Sequence, residues 1–295
     1  MKCRFDLVVV IGCGKIAEDV LLYVNLKRKD YHYDVHFIEH EHREFSRLKR
    51  ITEEEKIEYA QISDKQEMTQ FLLKNHKRTL IISAGNYYIF PKSVVEQHNL
   101  EIINFHNALL PKLPGRNAPT WAIYLKEAFT GPTWHYVTAG IDAGAIIAQK
   151  HTPVLEDIKA YELTQTIMTL AFDLFQDFYE SLLTEHIDGT PQAKSTLPRK
   201  IYYSYELPHE GMCSFDTPAS EIYCLLRAVD YGKNKIFPPI KLVLPDTKVV
   251  EIQRYKKQLL TFCDCRQKLF WDKSKQCIYF LLDEAYELKV NYKSE

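Results

Sequence analysis

The sequence predicts an α/β fold, a doubly wound and mostly parallel sheet, followed by a smaller β-rich domain. Three observations carry this. Residues 7–11 form a continuous apolar run broken by Gly12-Cys13-Gly14, the pattern of a strand buried on both faces and closed by a tight turn. From there to residue 104, short apolar runs alternate with segments of helical period. From about residue 194 the pattern changes to short runs separated by turn signals.

After the first strand, Ile16, Val20, Leu21, Val24 and Leu26 fall at helical spacing. Residues 35–38 read as a second strand, 68–73 as part of a helix and 79–83 as a third strand. Pro91 opens a short helix at Val94-Val95, and residues 101–104 form a fourth strand. Residues 119–128 read as a helix with Pro119 in its first turn. Residues 131–137 and 145–151 read as strands flanking Asp142. Leu163, Ile167, Leu170, Leu174, Phe178 and Leu182 mark a long helix over 161–186, stopped by Asp188-Gly189-Thr190-Pro191. A further helix is expected over 219–229, with Ile222, Leu225, Leu226 and Val229 on one face. Strands then follow at 240–244, 248–252, 277–282 and 287–290. The expected division is a catalytic domain over 1–192, a linker and helix over 193–230, and a small β-rich domain over 231–295.

Composition narrows the function. Lys plus Arg is 38 against 39 for Asp plus Glu, so a net charge of -1 gives no overall pull toward a nucleic-acid backbone. No apolar stretch approaches the roughly 18 residues of a membrane span. The run before Gly12 is too short for a signal segment. Seven cysteines form an odd set without disulfide-framework spacing, which places the chain in a reducing cytoplasm. Cys263-Asp264-Cys265 is half of a metal-site pattern without its other half, so no metal is expected.

The chemistry-bearing stretch runs from Asn104-Phe105-His106 through Leu109-Leu110-Pro111 to Gly115, with Ile141-Asp142-Ala143-Gly144 following. In an extended segment Asn104 and His106 share a side, just beyond the end of a parallel strand, where open α/β sheets bind ligands. An amide donor, an imidazole and a carboxylate suit attack of an amine on a carbonyl. The oxygen gains negative charge and the nitrogen must lose a proton.

This ordered set resembles the catalytic core of the 10-formyltetrahydrofolate-dependent formyltransferases: Asn-x-His, then Ser/Ala-Leu-Leu-Pro, a Gly, and later Asp-x-Gly. Asn107 and Ala108 depart from the residues common there. Residues 211–228, including Leu226-Arg227-Ala228, resemble the linker and first helix of methionyl-tRNA formyltransferases, whose C-terminal domain is a small open barrel. The resemblance assigns Asn104 to the formyl oxygen, His106 to the oxyanion and proton traffic, and Asp142 to the support of His106. It places folate against Tyr88, Ile89 and Phe90 and against Ala139, Gly140 and Ile141.

On the acceptor side, the candidates are Arg116 and Asn117 at a helix start, Trp134 and His135 on the strand leading to Asp142, and the amides of Gly12 and Gly14 for a phosphate. The favoured acceptor is the amine of a nucleotide-linked aminodeoxysugar. Methionyl-tRNA and an amino-acid or peptide amine are the alternatives. The locally basic stretch 43–50 is followed at once by Glu53-Glu54-Glu55, which reads as a solvated helix face rather than an RNA surface. Two readings outside the family remain. Gly12-Cys13-Gly14-Lys15-Ile16-Ala17 with Glu39 fits a nicotinamide-dinucleotide fingerprint. A non-catalytic binding protein could keep the fold, but loss of a catalytic residue would then be expected. Tyrosine-rich segments near the C-terminus are compatible with a homodimer.

Overall fold

The apolar run at the N-terminus forms β1 (Leu7–Gly12), every residue of which is buried, as a central parallel strand requires. The computed structural model describes residues 2–40, 46–193, 200–263 and 267–293. In chain order β1 is followed by α1 (Gly14–Tyr31), β2 (Asp34–Glu39), α2 (Arg47–Glu54), β3 (Glu58–Gln61), α3 (Lys65–Leu73), β4 (Thr79–Ala84), α4 (Lys92–Val95) and β5 (Leu100–His106). Then come α5 (Ala118–Tyr124), β6 (Phe129–Thr130), β7 (Thr133–Tyr136), β8 (Ile146–Gln149), β9 (Thr152–Pro153) and α6 (Ala160–Thr184). The remainder is β10 (Met212–Ser214), α7 (Ala219–Ala228), β11 (Lys241–Val243), β12 (Val249–Leu259), β13 (Leu269–Asp272), β14 (Cys277–Leu281) and β15 (Tyr286–Lys293).

The chain packs as two units. The first comprises Met1–Ala118, Phe129–Pro153 and Thr164–Tyr202. Its seven-stranded sheet has the order β3-β2-β1-β4-β5-β7-β8. The five strands from β3 to β5 run parallel, β7 runs against them and β8 against β7, so the sheet is mostly parallel, as expected. The chain winds outward from β1 to β3, then returns to β4 on the other side of β1. That reversal creates a crevice beyond the carboxyl ends of β1 and β4. A Cβ at Gly12 would lie 1.8 Å from the carbonyl oxygen of Ala84, so only glycine lets the two strands close here. The edge strand β3 had no sequence expectation, because Glu58-Tyr59-Ala60-Gln61 is polar at both ends and no residue of it is fully buried.

The second unit comprises Pro119–Ala128, Val154–Leu163 and Tyr203–Glu295. Its six-stranded sheet has the order β10-β11-β12-β15-β14-β13, with the outer strands β10 and β13 left as edges, an open barrel-like wrap. The packing divides the chain differently from the expected cuts at 192 and 230. Helix α7 buries Ile222, Leu225 and Leu226 in one core with Leu242, Val250, Ile278, Phe280, Leu288 and Val290. It is therefore part of the β-rich unit rather than a linker to it. Helix α5 is also shorter than the expected 119–128, since Lys126 turns left-handed (φ 54°) just beyond it. Among the described residues no helix is long and apolar enough to cross a membrane.

Candidate active site

Strands β4 and β5 set the first residue of the site. Ser83 lies opposite Asn104 in the parallel register and donates its hydroxyl to Asn104 Oδ1 at 2.7 Å. Asn86 donates to Ser83 Oγ at 3.2 Å, and its own Oδ1 accepts from the Tyr88 N–H, so the turn after β4 braces the amide. On the other side β7 runs antiparallel, which puts His135 opposite Asn104. His135 donates from Nδ1 to the carbonyl of Tyr136 at 2.8 Å. Its Nε2 lies 3.1 Å from Asn104 Nδ2, accepting from that amide in the neutral ring and donating toward Asp142 when the ring is protonated.

His106, two residues beyond Asn104, donates from Nε2 to the Leu113 carbonyl at 2.9 Å. Leu113 has φ 51°, which directs that carbonyl back at the ring. The other nitrogen, Nδ1, stands 3.5 Å from Asp142 Oδ2, and Asp142 Oδ1 is 3.6 Å from His135 Nε2. The Gly115 N–H donates to Asp142 Oδ2 at 2.7 Å. Asn104, His135, Asp142 and His106 thus form one connected group at the strand ends.

Asp142 is held in the left-handed region (φ 46°) by its surroundings. A Cβ at Gly144 would lie 1.7 Å from the Tyr136 carbonyl oxygen, so the loop can close onto β7 only with glycine there. Gln192 Nε2 donates to the carbonyls of Asp142 and Gly144, both at 2.8 Å. Burial alone would raise the pKa of Asp142. The positive field of His106, the hydrogen bond with His135 and the Gly115 N–H outweigh burial and hold the carboxyl well below its usual range. It is an anion at neutral pH and a weak base.

Turn 108–116 is fixed from outside the motif. Thr133 Oγ1 accepts from Leu110 N–H and from Gln149, and donates to the Ala108 carbonyl. Gly115 (φ 99°) presses against residue 202, where a Cβ would come within 2.2 Å of the Tyr202 carbonyl oxygen.

Of the expected catalytic residues, Asn104, His106 and Asp142 are brought together. Other expectations are corrected. Trp134, expected to line the acceptor pocket, is 0% exposed, packs against Phe105, Phe175 and Phe178, and donates its indole N–H to the Ala171 carbonyl. It is a core residue, because alternation along β7 turns His135 to the site and Trp134 away from it. His135 stands in the connected group with Asn104, Asp142 and His106. The Tyr88 and Phe90 side chains are buried in a core cluster with Ile81, and the Tyr88 hydroxyl meets Thr69 Oγ1 at 2.8 Å, so what these two residues leave for a folate is their backbone, the contact that the resemblance implies. Between them, Ile89 is 59% exposed.

Ala139 and Gly140 are exposed and Ile141 is half-buried on the approach to Asp142. Arg116 stacks over the Tyr87 ring at 4.5 Å and donates to the Tyr87 carbonyl. Burial lowers its pKa, against the fields of Tyr87 and Asp142. Asn117 is half-buried with φ 56°. At the first turn, Gly14 has φ 73° with open space where a Cβ would sit, but the Cys13 N–H is already given to the Gly85 carbonyl. Glu39, the acid of the dinucleotide fingerprint, is buried and accepts from the Tyr59 hydroxyl, so it does not reach toward a ribose.

Sequence reasoning missed Ser83, Asn86 and Gln192. Ser83 sat inside an apolar run as an ordinary strand residue, and Gln192 lies 50 residues from the loop it holds. Among the described residues no three His, Cys, Asp or Glu side chains gather as a metal-holding group, and Cys265 of the Cys263-Asp264-Cys265 pattern lies outside them.

Comparison with known proteins adds four findings. The family model described as formyl transferase matches residues 29–177. A methionyl-tRNA formyltransferase of Clostridium novyi (strain NT) is 28% identical over 218 residues, 73% of this chain and 67% of that protein. The trifunctional purine biosynthetic protein adenosine-3 of Drosophila melanogaster is 37% identical over 95 residues, 32% of this chain, and the match spans 7% of that protein. Among solved structures, the N-formyltransferase from Helicobacter canadensis, in complex with folinic acid and dTDP-3-aminofucose, has a TM-score of 0.66. It is 15% identical and covers 98% of this chain and 100% of its own, a likeness of fold.

Proposed function

From the premise that this chain belongs to the formyl transferase family, we propose that it moves a formyl group from 10-formyltetrahydrofolate to the primary amine of a nucleotide-linked aminodeoxysugar. The connected group of Asn104, His106, His135 and Asp142 carries this reading. The amine nitrogen bonds to the formyl carbon, and the bond from that carbon to the donor nitrogen breaks. One proton leaves the amine and one reaches the departing nitrogen, so the step balances without an oxidant or reductant.

Asn104 and His106 supply donors for the oxygen as it becomes negative. For His106 this means exchanging its bond to the Leu113 carbonyl for one to the substrate. Asp142, an anion with a depressed pKa, faces His106 Nδ1 and orients the ring rather than taking the proton itself. The nitrogen of His135 that faces both Asn104 and Asp142, or water beside it, receives the amine proton. The exposed Ile89 and half-buried Ile141 are apolar groups suited to cover the faces of a pterin, and neighbouring backbone groups serve its polar edge.

For the acceptor, support comes from the balanced net charge of -1 and from the likeness of fold to an N-formyltransferase solved with dTDP-3-aminofucose. The kinship with a methionyl-tRNA formyltransferase supports charged initiator tRNA as a second reading. A transfer assay with 10-formyltetrahydrofolate, offered a dTDP-linked aminodeoxysugar and methionyl-tRNA in parallel, separates them. Formylation of the sugar amine alone is expected. Formylation of methionyl-tRNA alone would replace the acceptor assignment, and no transfer to any amine would end the reaction assignment. His106→Ala and Asp142→Asn are each expected to lower kcat by about 10²- to 10⁴-fold with an unchanged circular dichroism spectrum.

A further inference from the structure

Arg227 stands near the end of α7 in the β-rich unit and is only 8% exposed. Its Nη1 donates to the Ile158 carbonyl at 2.8 Å, and its guanidinium carbon lies 5.0 Å from the centre of the Tyr223 ring. Its Nε is buried and meets no acceptor. Among the described residues no carboxylate forms an ion pair with this guanidinium. A buried cation served by one neutral carbonyl and one ring face is costly, and an oxyanion on the remaining donor edge relieves that cost.

The surroundings provide room and further charge. Arg227 lines a cavity of about 390 Å³ together with Lys126, Tyr223 and Lys257. Cys224, which lines the same cavity, lies in the positive fields of Arg227 and Lys126 and in the negative field of Glu221. Three acids, Glu127, Glu156 and Asp283, also line the cavity, and Lys257 already holds Asp157 at 3.0 Å. A second cavity of about 380 Å³ shares Tyr223 and Lys257 with the first and adds Lys159, Lys256 and two more tyrosines, Tyr255 and Tyr286.

We infer that the Arg227 cavity is a second ligand site, in the β-rich unit, whose occupant presents a phosphate group to Arg227 and Lys126. The planar guanidinium fork fits two phosphate oxygens. Tyr223 sets its ring 5.0 Å from the guanidinium carbon, and Lys126 adds a point charge to the lining. If the phosphate is an ester, the rest of the ligand lies along Tyr223 toward the tyrosines of the neighbouring cavity. The site does not depend on the formyl acceptor and stands or falls separately from it.

The test is calorimetric titration of the full chain with inorganic phosphate and with a nucleoside diphosphate, against sodium chloride at matched ionic strength. Wild type is expected to bind inorganic phosphate. Arg227→Met should weaken binding at least about tenfold and Lys126→Ala several-fold, while Lys248→Ala, an exposed lysine outside the cavity lining, should leave it unchanged. Tighter binding of the nucleoside diphosphate, lost in Tyr223→Ala, would identify an ester. Should Arg227→Met fail to fold, the arginine Nε–H resonance of wild type decides the matter, and a shift on phosphate addition is expected. No phosphate binding above the chloride control would overturn the site. So would wild-type affinity in both the Arg227 and Lys126 variants.

Discussion

Asp142 is a single residue whose protonation is coupled to the stability of its whole surroundings. Its folded pKa lies below the ordinary aspartate value of 3.8. The unfolded chain therefore binds its proton first as the pH falls. The ionised carboxylate contributes stability in full above about pH 4, and that contribution is lost as acid carries the pH toward the folded value. Melting temperature measured between pH 6 and pH 3 should fall less steeply in Asp142→Asn than in wild type; parallel curves would contradict the charge assignment.

Gln192 acts on the reaction through the loop alone, giving both hydrogens of its amide to the carbonyls of Asp142 and Gly144. Gln192→Ala should lower kcat about tenfold with KM little changed, and Gln192→Glu, which keeps length but loses the donors, should not restore it. At this scale the sequence was informative where chemistry is local. Asn104 and His106 follow from two-residue alternation, and Asp142 follows from its Gly-flanked turn. His135 was noticed but given another task, because the cross-strand register that sets it opposite Asn104 cannot be read from a single strand. Gln192 carried no local signal.

Among elements, α7 shows what a helical pattern conveys and what it omits. The spacing of Ile222, Leu225 and Leu226 was legible as one apolar face. The surface it covers was not, because Leu242, Val250, Ile278 and Val290 come from strands up to 68 residues away. Ile222 is fully buried there, so Ile222→Ala should cost about 2–5 kcal/mol, read as a lowered urea midpoint at constant slope. A cost under about 1 kcal/mol would mean that the helix face is not packed as described. Strand β12 ran longer than its expected 248–252 because a register shift at Ile252/Arg254 lets it continue to Leu259 with its apolar residues out of simple alternation. Strand β3, polar and at an edge, gave no hydrophobic signal.

At the level of the whole molecule, the α/β pattern and the later β-rich region were both visible in the sequence, but the partition between them was not. A linear reading draws boundaries where composition changes. The packing instead gives 119–128 and 154–163 to the β-rich unit. Thr120 meets the Tyr231 hydroxyl, the Cys224 thiol meets the Ile123 carbonyl, and Lys159 pairs with Asp230. A chain ended after residue 202 leaves both segments without these partners. It should elute as aggregate in size-exclusion chromatography, where the intact chain gives a defined species. A well-behaved 1–202 fragment would show that the short segments can stand without the strands.

The chain changes unit at 118/119, 128/129, 153/154, 163/164 and 202/203. No single cut in the gene can therefore carry either unit away whole. Chimeras that swap only the C-terminal third between relatives would mate foreign strands with native helices and turns. Inheritance should keep the two halves together as one block, and an engineer who wants a different rear half must graft three stretches at once.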